Sequence, residues 1–315
     1  MMVAKDGCFW ASYAVCPFWK PSYRRYRTLC AKLKILTESI IRKSRDQNSS
    51  VHHFDQRSYQ KSEGMMTGHS LLGAAEGPHS SEEELCGNTI GLMLHGISTS
   101  ANLIGSVLTR LTVFPKLQDQ SFLQLHAEIV AACNESPELE VDDVLRMRLL
   151  LAAVRESARL LPAGPLLQRC SLKHDLTLGL GITVPAGAIL VVPLHLIQMD
   201  SSVWGNDAGQ FNPHRFLKKD IDLGDILAAP SGLNGMNLSS DCAKTESFLP
   251  FGSGSRACVG QKFVILAISI LIASLLRNYE VQPHPSLSKE VGSEVDSSHF
   301  HHLPNSKIIL TKRRI

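Results

Sequence analysis

The sequence predicts a mainly helical protein carrying a small β-sheet, on three observations. Apolar residues recur at helical spacing through several segments, among them 21–45, 84–111, 118–133 and 141–161. Pro115 and Pro162 stand just beyond two of these segments, where helices stop. Between Leu166 and Pro193 the texture changes to β-branched residues broken by "GLG" and "PAG", as short strands and turns require.

Each element has its own grounds. Residues 21–45 mix basic, aromatic and apolar positions, with Leu33, Leu36 and Ile40 on one helical face. The basic side reads as a solvated face, because a net charge of only +3 gives no push toward nucleic acid. Residues 46–80 are polar and rich in Ser, His and Gly, which predicts a loop or linker. A capping signal, "SSEEE" at 80–84, opens the helix that ends before Pro115. Helices over Gln118 to Cys133 and Val141 to Leu161 follow, then the small sheet, a loop-like stretch at 217–247, a long apolar helix and a closing strand, "KIILTKR", at 307–313. The division is therefore 1–83, an irregular segment with one or two helices and a polar linker, and 84–315, the main body.

Composition excludes several classes. Eight scattered cysteines among 315 residues form neither a disulfide framework nor a zinc site, which suits a reducing compartment. The longest uncharged apolar run, Phe263 to Leu276, is too short to span a bilayer, so no transmembrane segment is expected in this chain. The first residues lack the three regions of a signal peptide. "HFHH", His299 to His302, has no partner ligands at metal-binding spacing, and Asn48, Asn134 and Asn237 open N-x-S sequons.

Chemistry concentrates at residues 248–276, "FLPFGSGSRACVGQKFVILAISILIASLL". A thiolate is the metal-binding form of cysteine, and the unpaired N–H groups of a helix N-terminus favour it. Cys258 stands just ahead of such a helix. Gly252, Gly254 and Gly260 let backbone lie flat against a large planar partner, and Arg256 suits a carboxylate at that partner's edge. These residues point to a haem iron held by one axial thiolate. A buried structural cysteine beside a glycine loop is the other reading of Cys258 taken alone.

"FGSGSRACVG" fits F-x-x-G-x-R-x-C-x-G at Phe251, Gly254, Arg256, Cys258 and Gly260. A chance fit in this length is on the order of one in ten thousand at average residue usage. The stretch resembles the haem-binding signature of the cytochrome P450 family. Further features stand in the order the resemblance implies. "RESARLLP" supplies the E-x-x-R pair, Glu156 and Arg159, on one helical face. "FNPHRFL" supplies Arg215, which would complete a buried triad with that pair, with His214 in place of the usual glutamate. Arg169 in "PLLQRC" falls where a propionate-binding arginine is implied. The helix that would cross the haem reads "LMLHGISTSANL": Gly96 and Thr99 match the family's oxygen-side pattern, while Ser98 takes the acid's position and His95 precedes the glycine. A hydroxyl passes a proton along a water chain but cannot hold the charge a carboxylate does.

The resemblance covers roughly residues 84–315 and implies part of a cytochrome P450 fold, with 84–315 as the haem-binding catalytic core. Family members are substantially longer, the absent part being N-terminal, and residues 1–20 resemble nothing in the family, as a truncated chain or an alternative gene start would give. The implied reaction is monooxygenation: electrons from NADPH arrive through a reductase partner, and one atom of O2 enters a small hydrophobic substrate. Thr99 and Ser98 would serve proton delivery, and substrate would meet the segments near Thr99, Ala163 to Leu167 and Phe300. The implied location is the cytosolic face of the endoplasmic reticulum membrane, through an N-terminal anchor in a full-length form. Two other functions stay open: a haem-dependent isomerase or dehydratase, which Ser98 favours, and an inactive truncated chain, which the missing N-terminal half favours.

Overall fold

The computed structural model describes residues 21–51, 81–113, 123–132, 139–164, 166–169, 173–177, 181–217, 247–284 and 307–313. The expected linker beyond residue 51, the loop beyond Leu217, Phe300, the histidines 299–302, Asn134 and Asn237 lie outside them. Contacts divide the chain into one unit over Met1–Ala101 and another over Asn102–Ile315.

In the first unit, helix α1 spans Pro21–Val51, continuing past the expected stop at residue 45. Residues 46–51, "DQNSSV", hold neither Pro nor Gly, and extending a formed helix adds one hydrogen bond per residue fixed. Helix α2, Glu82–Val113, begins in this unit. Ser81 Oγ accepts the Glu84 amide at 3.2 Å, and Glu84 Oε2 accepts the Ser81 amide at 2.9 Å, a reciprocal cap that satisfies two otherwise unpaired donors. Ile41 and Leu85 are buried together with Leu92 against them. The Arg45–Glu82 ion pair at 2.9 Å is exposed and contributes little.

The second unit is built round a helix buried on nearly every side. The expected helix 141–161 is two: α4, Val141–Arg146, and α5, Arg148–Leu160, broken at Met147, whose ψ of 70° leaves the helical region. Met147 is fully buried, so packing of its side chain accompanies the bend. Every residue of α5 from Leu149 to Leu160 is buried. Its N-terminus is closed from α3, Leu123–Ala132: Glu128 accepts the Leu149 amide at 2.9 Å and the Leu150 amide at 3.1 Å. Burial raises the Glu128 carboxyl above its ordinary range, against the pull of those amides.

Helix α8, Gln261–Asn278, packs Ile268, Ile272 and Leu276 into the same core, and Ile265 into a smaller cluster with Val144 and Leu151. Both α8 and the Glu82–Thr112 stretch of α2 are long and apolar enough, by length and composition alone, to cross a membrane. The expectation of no such segment rested on unbroken apolar runs, whereas mean hydropathy tolerates scattered polar residues.

The expected sheet resolves into two-stranded antiparallel ladders. Strand β1, Leu166–Arg169, pairs with β4, Leu190–Pro193, placing Leu166 opposite Pro193 and Arg169 opposite Leu190. Strands β2, Leu176–Thr177, and β3, Thr183–Val184, form a second ladder. A third joins β5, Tyr279–Pro283, to the closing strand β6, Ile308–Lys312. Short helices α6, Leu194–Gln198, and α7, Ser201–Trp204, follow β4 directly. The protein is mainly helical with small sheets, as the sequence predicts.

Candidate functional site

The glycine-rich loop folds back on itself before α8. Gly252, at φ +74°, turns the chain and donates to the Leu249 carbonyl at 2.9 Å. Gly254, at φ +68°, opens a 3-10 turn over Gly254–Arg256, closed by Ala257 N–H to Gly254 at 3.0 Å. Both values lie where a β-carbon crowds the following carbonyl, so glycine is favoured at each. The turn returns the Cys258 amide to the Phe251 carbonyl at 2.7 Å. Cys258 is thereby held ahead of Gly260, the N-cap of α8, and its thiol is free and exposed. Exposure removes the reading of a buried structural cysteine. Arg256 is exposed on the same loop.

Behind the loop runs a row of aromatic rings. Phe251 lies 6.3 Å from Phe248, Phe248 meets Phe216 edge-on at 5.4 Å, and Phe216 lies 6.1 Å from Trp204. Two arginines of α5, one turn apart, lie against this row: Arg155 over Phe216 and Phe248, each at 5.0 Å, and Arg159 over Trp204 at 4.9 Å.

At the far end of the row the structure brings Glu156, Arg159 and Arg215 together. Glu156 Oε2 accepts Arg159 Nε at 2.8 Å, and Glu156 Oε1 accepts Arg159 Nη2 at 2.8 Å, Arg215 Nε at 3.0 Å and the Asn212 amide at 3.0 Å. The Glu156 and Arg159 side chains are wholly buried. Their remaining groups are used as well: Arg159 donates to the Gln198 and Gln210 carbonyls, and Arg215 to the Trp204 carbonyl at 2.7 Å and to Asp207. A buried ion network requires this degree of satisfaction, since each unmet charge or donor carries its full desolvation cost. The hydrogen bond from Asn212, with help from Arg215, holds the Asp207 carboxyl below its usual range. Nearby, burial pushes the Arg110 guanidinium down to about 10, with Arg159 adding to the effect and Glu156 opposing it. His214 is exposed and takes no place in the network.

Thr99 and Ser98 lie on α2 within the first unit, one turn beyond an exposed His95. Thr99 donates its hydroxyl to the His95 carbonyl at 2.7 Å, which leaves the Oγ1 lone pairs available as acceptors. Ser98 lies 3.4 Å from the Leu94 and His95 carbonyls. Gly96 has nothing within 4 Å of the position a β-carbon would take. Arg169 closes β1 opposite Leu190. Sequence reasoning passed over Arg155, Phe248, Trp204 and Asp207. Arg155 directly precedes Glu156, but no sequence spacing marks which rings a buried cation meets.

The cytochrome P450 family model matches residues 2–301. The chain belongs to the cytochrome P450 family. The match takes in residues 2–83, outside the 84–315 stretch that carries the motifs, and corrects the expectation that residues 1–20 resemble nothing in the family. Among similar relatives, cytochrome P450 714C3 of Oryza sativa subsp. japonica is 28% identical over 233 residues, covering 73% of this chain and 41% of that one. 11-oxo-beta-amyrin 30-oxidase of Glycyrrhiza uralensis is 33% identical over 196 residues, covering 61% of this chain and 32% of its own. The chain thus spans well under half the length of these relatives. The solved structure of a cytochrome P450, CYP102L1, superposes at a TM-score of 0.66 with 22% identity, covering 99% of this chain and 64% of that one, which shows the shared fold.

Cytochrome P450 proteins bind haem through a cysteine thiolate, and the residues present fit that group. The loop offers one free, exposed thiol, and among the described residues no cluster of His, Cys, Asp or Glu competes as a metal site. An exposed arginine two residues away complements an anionic edge. Open space beside Gly254 leaves the backbone approachable.

Proposed function

We propose that this chain is the haem-binding part of a cytochrome P450 monooxygenase, with residues 84–315 as its catalytic core and Cys258 as the axial ligand of the iron. The observation that carries the reading is the exposed Cys258 thiol, tied by its amide to Phe251 ahead of the α8 N-terminus. When bound, the haem supplies reductive activation of O2, and its thiolate ligand favours O–O cleavage. Phe251, Gly254 and Gly260 would frame the sulfur, and Arg256 and Arg169 would meet the haem's carboxylates. Glu156, Arg159 and Arg215 keep the helix and loop behind the ligand in register. On α2, Thr99 Oγ1 and Ser98 Oγ would hand on protons. Substrate is a small hydrophobic molecule, and electrons come from NADPH through a reductase at a membrane of the endoplasmic reticulum.

Reconstitution with haem, reduction and addition of carbon monoxide tests the assignment. The expected result is one haem per chain and the red-shifted band of a thiolate-ligated iron, lost in Cys258→Ala. A chain without haem, or an unchanged band in Cys258→Ala, overturns it.

A further inference from the structure

Arg155 is 5% exposed, and its place explains why a cation is buried there. Its guanidinium lies in the corner of two rings, 5.0 Å from the centroids of both Phe216 and Phe248, which meet at 74°. Cation–ring attraction strengthens where water is excluded, and a planar guanidinium can serve two faces at once. The rings it joins belong to segments far apart in sequence: Phe216 ends the 3-10 turn Pro213–Phe216 that carries Arg215, and Phe248 opens the cysteine loop. Phe248 lies against the ring of Phe251, and the Phe251 carbonyl takes the Cys258 amide at 2.7 Å.

We propose that Arg155 is a positioning residue for Cys258, acting through Phe248 and Phe251 on the hydrogen bond that orients the cysteine. The assignment rests on Cys258 being the haem ligand, but the chain of contacts belongs to the protein itself. Arg159 and Arg155, one turn apart on α5, lie along the aromatic row: Arg159 over Trp204 at one end, and Arg155 over the two middle rings, Phe216 and Phe248, the second of which touches Phe251. Helix α5, buried from Leu149 to Leu160, thus supplies a rigid reference for an otherwise glycine-rich loop.

The test is amide hydrogen exchange on the full chain without haem, read at Cys258 and at the α8 amides. Arg155→Met is expected to lower protection of the Cys258 amide about five- to thirtyfold, the range of one strong or two ordinary cation–ring contacts, while α8 stays protected. Arg155→Lys, which keeps the charge but not the plane that meets both rings, is expected to restore only part of that protection. Unchanged protection at Cys258, or an equal loss throughout α8, overturns the positioning role. If Arg155→Met fails to fold, Phe216→Leu removes one ring and is expected to lower the same amide by about fivefold, and no change there likewise overturns the role. In haem-loaded protein, Arg155→Met is expected to move part of the ferrous carbon monoxide band away from the thiolate position, and Arg155→Lys to return some of it. A wild-type protein lacking that band overturns the haem reading alone, since the exchange measurement still judges the contact chain.

Discussion

Phe251 supports Cys258 through two different parts of itself. Its carbonyl accepts the Cys258 amide at 2.7 Å, while its ring continues a row that runs through Phe248 and Phe216 to Trp204. The polar bond sets the direction of the cysteine backbone, and the apolar contacts set where that bond sits. Loop and core are therefore coupled, and changes in either are expected to reach the sulfur.

The strongest expected loss of stability lies at Glu156. Glu156→Gln keeps the shape of the side chain but leaves the wholly buried Arg159 without a counter-charge and Arg215 with Asp207 alone, at about 3–5 kcal/mol. A large fall in the urea midpoint and little soluble haem-loaded protein are expected. A normal midpoint and normal haem content would refute a structural role for the network.

Glycine substitutions separate backbone strain from space. Gly252→Ala meets only ordinary contacts, the nearest at 3.7 Å, so its expected cost of roughly 1–2 kcal/mol comes from φ alone. Gly254→Ala is expected to cost about as much, since it shares a positive φ and has nothing within 4 Å. Gly96→Ala, within α2 and equally unobstructed, is expected to stabilise the protein by about 1 kcal/mol. Thermal unfolding of the three variants checks the order.

Glu128 gives a pH dependence of defined sign. Burial raises its carboxyl, so the folded state holds the proton to higher pH than the unfolded chain does. Its favourable contribution is thus complete below the ordinary carboxylate range and is lost as pH rises through the raised value. Glu128→Gln keeps one of the two acceptors for the α5 amides and removes the buried charge. Its urea midpoint relative to wild type is expected to rise as pH climbs from about 4, the ordinary carboxylate value, through the raised one. Glu128→Ala removes the cap and is expected to cost about 1 kcal/mol in the same range.

Ser98 offers a gain-of-function test. If Thr99 and Ser98 pass protons together, Ser98→Asp supplies the charge-bearing relay that a hydroxyl cannot, an effect worth up to roughly 10²- to 10⁴-fold in proton-transfer steps. More product per NADPH consumed, at unchanged haem content, is the expected outcome in reductase-supported turnover. No gain counts against the relay.

Much of this protein is written locally. Amphipathic periodicity and prolines determined the helical class, and a Ser81–Glu84 capping box marked the start of α2. The fixed spacing of Phe251, Gly254, Arg256, Cys258 and Gly260 identified the family, because it lies within one short loop in which Gly254 answers to a positive φ and Arg256 and Cys258 present exposed groups. Tertiary structure alone decided what depends on distant segments meeting. The break at Met147 lies inside a continuous helical pattern and is capped by Glu128 from another helix. Strand β5 became a strand because β6, beyond it in the chain, satisfies its backbone. The burial of Arg155 between two rings follows the same logic: periodicity records which face of a helix turns inward, but the partner waiting there is set by packing.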